Sequence, residues 1–99
     1  MEERAVLRRL KKFALAEMRE KGWGEAIIYR APSSLIMRRD RVPGMMVRGS
    51  SGPKYFVCVK KGKLQRLYLF GASGEMLGAE DLTEEPEFLR SGTALLKLR

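Results

Sequence analysis

The chain has 99 residues, a net charge of +8 at neutral pH and 44% apolar residues, enough for one modest hydrophobic core and too little for two. No apolar run approaches the length of a membrane span, and the opening MEERAVLRRLKK lacks the apolar centre of a secretory signal, so a cytoplasmic protein is expected. Cys58 is the single cysteine, which excludes an internal disulfide framework, and the chain has no His, no Asn and one Gln, Gln65.

Depletion of thermolabile amides beside abundant Arg, Lys and Glu fits a hyperthermophilic source, against which six Met residues weigh. The charge is unevenly placed. Between residues 38 and 66, nine Lys or Arg stand against one acid, Asp40; between Glu75 and Glu87, six acids stand against no base. A basic segment of this kind is the usual footprint of phosphate binding, and it equally fits a ribosomal-type or heat-adapted surface. No basic amphipathic helix with an aromatic insertion face stands out, so membrane attraction is not expected.

In chain order, residues 3–21 predict one helix, with Val6, Leu7, Leu10, Phe13, Ala14 and Met18 forming one apolar stripe. Glu2 and Glu3 suit its N-terminus, Lys21 its last turn and Gly22 its C-terminal cap. Arg8, Arg9, Lys11 and Lys12 make the other side basic. Residues 25–30 read as a strand, Pro32-Ser33-Ser34 breaks it, and residues 35–42 form an arginine-rich loop. Met45 to Arg48 is a short strand. Residues 55–61 (YFVCVKK) make the strongest strand of the chain, Gly62 and Lys63 turn it, and residues 64–70 return. A turn at residues 72–75 precedes a short strand at 76–79. Residues 81–89 predict at most one or two helical turns, interrupted by Pro86, and residues 94–98 a last strand or a tail. The expected fold class is α+β: the N-terminal helix packed on a small mixed or antiparallel sheet, in a single domain spanning residues 1–99.

Four stretches in this order resemble the archaeal Holliday junction resolvases, nucleases with a PD-(D/E)-x-K motif. Glu20-Lys21-Gly22-Trp23 is similar to the end of the family's first helix. Ile28-Tyr29-Arg30-Ala31-Pro32-Ser33-Ser34 is similar to its Val-Arg-Ala-Pro-(Ala/Gly)-Ser stretch. Residues 38–47 (RRDRVPGMMV) are similar to its basic loop and Pro-Asp-Ile-Ile-Ala strand. Phe56-Val57-Cys58-Val59-Lys60 is similar to its Ile-Glu-Val-Lys strand. The resemblance covers roughly the first two thirds of the chain and implies a truncated resolvase-like core. A two-residue turn after Lys61 favours an antiparallel hairpin over the family's helical crossover, which takes about a dozen residues or more.

Metal-dependent phosphodiester hydrolysis needs carboxylates for a hard cation such as magnesium. On this resemblance the helix position falls at or near Lys11, the strand Asp on Gly44 and the strand Glu on Cys58. Only Lys60 keeps the family's residue, now without catalytic partners. The resemblance therefore implies a nuclease-dead protein with no metal and no cofactor. Cys58 reads as a small buried hydrophobe. Lys60, with Lys61 and Lys63 beside it, reads as a phosphate contact or as an exposed strand-end lysine. Arg38, Arg39 and Arg41 are the foremost binding candidates, because the family's corresponding loop lies against DNA. Arg8, Arg9, Lys12, Arg30, Ser33, Ser34 and Lys54 complete the expected nucleic-acid-binding set. Trp23, Tyr29 and Tyr55 offer rings for base stacking but read first as core residues.

The leading expectation is a non-catalytic protein that binds DNA, branched DNA included. Competing readings are an RNA- or ribosome-associated protein, a nuclease with displaced carboxylates such as Asp40 or Glu25, and an auxiliary subunit docking through its acidic segment. A homodimer is also expected if junctions are preferred, since a two-fold junction calls for a paired surface.

Overall fold

The computed structural model describes residues 2–31, 53–84, 89, 90 and 92–99. It contains α1 (Glu3–Lys21), β1 (Glu25–Arg30), β2 (Tyr55–Lys61), β3 (Leu64–Phe70), β4 (Met76–Leu82) and β5 (Thr93–Leu98). The strands form one sheet in the order β4-β3-β2-β1-β5, and every neighbouring pair is antiparallel. The fold is thus α+β, one helix against a five-stranded antiparallel sheet. None of the described helices is long and apolar enough to cross a membrane.

The helix forms where the apolar period predicts it. Glu2 is extended and its carbonyl accepts from the amides of Ala5 and Val6, both at 3.1 Å; its side chain makes no cap. At the other end Gly22 takes a left-handed conformation, φ 72°, closing the helix as a residue without Cβ does most readily. Val6, Leu10 and Ala14 are buried against the sheet. They meet Ala26, Ile28, Tyr55, Val57, Val59, Tyr68 and Phe70, the residues whose alternation points them toward α1. Phe13 fixes the contact with two edge-to-face ring pairs, to Tyr68 at 4.9 Å and Phe70 at 5.2 Å.

The opposite face is buried too: Ile27, Tyr29, Phe56, Cys58, Leu67 and Leu69 form a second cluster, with Leu89 packed on it. β2 therefore has no solvent-facing side along Tyr55 to Val59, which is why it reads as a continuous apolar run rather than an alternating one. Gly62, at φ 61°, permits the tight β2–β3 turn. Both outer ladders contain a register shift, one between Ile28 and Tyr29 opposite β5, the other between Leu69 and Phe70 opposite β4. Such bulges twist an edge strand away from further pairing.

Three sequence expectations are corrected or completed. The strand expected over 76–79 runs on to Leu82, so Asp81 and Leu82 lie in β4 and not in a helical turn. Asp81 is held there by Arg66, its direct cross-strand partner. Residues 93–98 form a strand, paired with β1. The expected loop at 35–42 and strand at 45–48 lie outside the described residues.

Candidate nucleic-acid interface

The charged side chains of the helix sort by side. Those turned toward the sheet are paired. Glu3 accepts two hydrogen bonds from Arg30, at 2.6 and 3.0 Å, and Glu17 accepts from Tyr68 Oη at 2.6 Å and pairs with Lys21 at 2.9 Å. Arg9 donates from Nη1 to the carbonyl of Ser73 at 3.0 Å, tying the helix to the β3–β4 turn. Arg4, Arg8, Lys11, Lys12 and Arg19, by contrast, are exposed and form no ion pair or side-chain hydrogen bond among the described residues.

At 100° per residue these five cations fall within an arc of about 100°, and Arg4 to Arg19 spans about 22 Å of helix axis. Leu15, 41% exposed, lies in the same arc, which contains no acid. The neighbours Arg4–Arg8, Arg8–Lys11 and Arg8–Lys12 repel one another, together costing roughly 1 kcal/mol in the isolated protein. Phosphates laid along the arc would relieve that cost.

A second basic group lies at the β2–β3 hairpin. Lys61 and Lys63 are exposed, and Lys61 Nζ lies 3.5 Å from where a Cβ on Gly22 would stand, beside the helix C-terminus. That position suits a cation, because the terminal carbonyls carry partial negative charge.

Between hairpin and helix end runs a polar chain. Lys21 pairs with Glu17, Glu17 accepts from Tyr68, Arg66 reaches Tyr68 Oη at 3.5 Å and pairs with Asp81, and the Arg66 guanidinium lies 5.5 Å from the Trp23 ring centroid. Lys21, Arg66, Tyr68 and Asp81 of this chain line an open groove of about 390 Å³. Arg66 and Asp81 also line a notch of about 170 Å³, together with Trp23, Leu64, Gln65, Leu82 and Thr83. Trp23 Nε1 is the one buried side-chain nitrogen or oxygen without a hydrogen-bond partner among the described residues.

The hydrogen bond from Tyr68, helped by Lys21 and opposed by burial, holds the Glu17 carboxyl below its ordinary range; Arg66 does the same for Asp81. Both folded values are depressed, so their stabilisation is full above the unfolded pKa and is lost as pH falls through the folded one. Tyr68→Phe removes the largest contribution at Glu17. Its carboxyl resonance should then titrate closer to 4.5 than in the wild type, and the acid-induced fall in Tm should be smaller. A Glu17 titration that Tyr68→Phe leaves unmoved would contradict the assignment.

The expected site residues are placed as follows. Lys11 is on the outer side of α1, whereas Cys58 is buried on the sheet face away from α1, with Lys60 on the same side of β2 by alternation. These two parts of the resolvase-type constellation are therefore not brought together. Cys58 is fully buried and donates from Sγ to Gln65 Oε1 at 3.8 Å, in keeping with the expected packing role. Both edges of β2 are occupied, by β1 and β3. Among the described residues no three His, Cys, Asp or Glu side chains gather into a metal-holding group. Gly44, Ser33, Ser34, Arg38, Arg39 and Arg41 lie outside the described residues.

Arg8, Lys12, Lys54, Lys61 and Lys63 are exposed as expected, and Lys60 is half-buried. Arg9 and Arg30 are exposed but committed to Ser73 and Glu3. Tyr29 and Tyr55 are buried, while Trp23 is half-buried at the notch. Sequence reasoning missed Arg4, Lys11 and Arg19 as binding residues; their spacing from Arg8 and Lys12 on a helical wheel is the signal that finds them. In the acidic segment, Glu75 is engaged with Ser73 and Asp81 with Arg66, while Glu85 and Glu87 lie outside the described residues. Comparison of the chain with protein-family models, with curated proteins and with solved structures found no match.

Proposed function

We propose that the chain is a non-catalytic nucleic-acid-binding protein that grips phosphates, those of DNA foremost, along the outer side of α1. The observation that carries this reading is the acid-free arc of Arg4, Arg8, Lys11, Lys12 and Arg19, unpaired among the described residues while the neighbouring acids Glu3 and Glu17 are paired. Lysine and arginine rows of this kind bind by releasing condensed counterions, with little demand on sequence. The arc is convex and helical, which suits a duplex backbone better than a pocketed small anion. Arg38, Arg39 and Arg41, outside the described residues, are further phosphate contacts in this proposal.

The absence of cleavage is part of the same reading, supported by Gly44 and Cys58 at the motif's carboxylate positions and by the separation of Lys11 from Cys58. Purified protein should leave four-way junctions, duplex and single-stranded DNA intact with magnesium or manganese, while retarding them in a gel. Metal-dependent cleavage abolished by Lys60→Ala would overturn it.

A further inference from the structure

The duplex-binding arc leaves Trp23 unexplained. This is the sole tryptophan of the chain. Its indole is half-buried, packs partly against the α1 cluster and borders the notch of about 170 Å³. Among the described residues Nε1 is buried without an acceptor, and there the ring is held by packing rather than by the hydrogen bond that usually anchors a buried tryptophan. The Arg66 guanidinium lies over the ring, a second flat surface in the same notch. Leu64, 64% exposed, forms an apolar lip.

The electrostatics of the notch favour an uncharged occupant. Asp81 lies against Arg66 and cancels its charge, so a phosphate gains little inside. The cations stand outside, on the hairpin that begins the same wall: Lys61 and Lys63 are exposed within three residues of Leu64. A flat apolar slot with cations at its mouth matches a nucleotide whose base enters while its phosphate stays out. Aromatic rings and guanidinium planes are the surfaces on which unpaired bases stack, and stacking tolerates any base because each has a π-face. We propose that the Trp23–Arg66 notch receives an unpaired nucleobase of the bound nucleic acid, with Lys61 and Lys63 on the flanking phosphates. The proposal rests on the nucleic-acid-binding reading above and adds to it a preference for frayed, gapped or single-stranded sites.

Two readouts on the full chain separate the proposal from the reading beneath it. Anisotropy of a labelled oligonucleotide reports binding, and emission excited at the red edge of the indole band, where tyrosine does not absorb, reports Trp23 alone. Single-stranded and gapped DNA should quench the emission saturably, whereas a blunt duplex of equal length should bind and leave it unchanged. Leu64→Ser, an exposed change that leaves the core intact, should weaken single-strand affinity about five- to tenfold, as expected from loss of part of one base stack, and leave duplex affinity unchanged. Trp23→Leu should do the same more strongly, and Trp23→Phe should retain most of the affinity.

Binding of both DNA forms with no quenching, or with equal quenching by both, overturns the base slot and leaves the phosphate-binding reading standing. Binding of the duplex but not of single-stranded DNA likewise overturns the base slot alone, and binding of neither DNA overturns both. Quenching by an apolar peptide but by no oligonucleotide would make the notch a protein-docking site and also overturn the proposal.

Discussion

Replacing Arg4, Arg8, Lys12 and Arg19 together by Glu should abolish binding to duplex DNA at physiological salt. The milder replacement by Ala is quantitative. If each of the four residues neutralises one phosphate, the slope of log Kobs against log salt concentration should become shallower by roughly 3 to 4, since each contact contributes about 0.9. Affinity at low salt should fall on the order of a hundredfold or more. The fold should survive, because all four side chains are exposed and unpaired among the described residues, and removing their mutual repulsion costs nothing. The matched control is Arg30→Ala, which breaks the pair with Glu3 and should lower stability slightly with little effect on the salt slope. An Ala variant with an unchanged slope would move the interface away from α1, and Arg38, Arg39 and Arg41 would then be the residues to replace.

Phe56→Ala should be the most damaging single substitution for stability. Phe56 is fully buried in the central strand, on the sheet face away from α1, within the cluster that includes Cys58, Leu67 and Leu69. Truncating a buried Phe costs about 3–5 kcal/mol through lost transfer energy and the cavity left behind. Domains of this size are stable by only about 5–15 kcal/mol, so the loss should shift the urea midpoint sharply. Leu15→Ala, on the exposed arc, should stay within about 0.5 kcal/mol of wild type. A Phe56→Ala cost below about 1 kcal/mol would show that the second face is not a packed core.

Some of this architecture is legible in the chain before folding is considered. The bounds of α1 follow from its stripe and from Gly22, and the β2–β3 hairpin follows from two β-rich runs separated by Gly62 and Lys63. Local signals fail where distant partners decide. Glu80 and Asp81 argue against a strand by propensity, yet β4 continues through them because Arg66 sits opposite Asp81. The leucines of β5 carry no clear period, and pairing with β1, more than 60 residues earlier, makes them a strand.

The interface divides in the same way. Arg8 and Lys12 are legible as basic helix residues. That Arg9 is spent on Ser73 and Arg30 on Glu3, while Arg4 and Arg19 remain unpaired among the described residues, depends on tertiary neighbours 64 and 27 residues away in the two engaged cases. On the resemblance Lys11 and Cys58 likewise fall at positions of one motif, and the packing of α1 on one sheet face separates them.

The outer side of α1 is tested most directly by following arginine Nε–H resonances in a duplex DNA titration by NMR. Arg4, Arg8 and Arg19 should shift progressively and return on addition of salt, while Arg30 and Arg66, held by Glu3 and Asp81, should move little. Shifts confined to Arg30 and Arg66, with Arg4, Arg8 and Arg19 unmoved at saturation, would contradict the account.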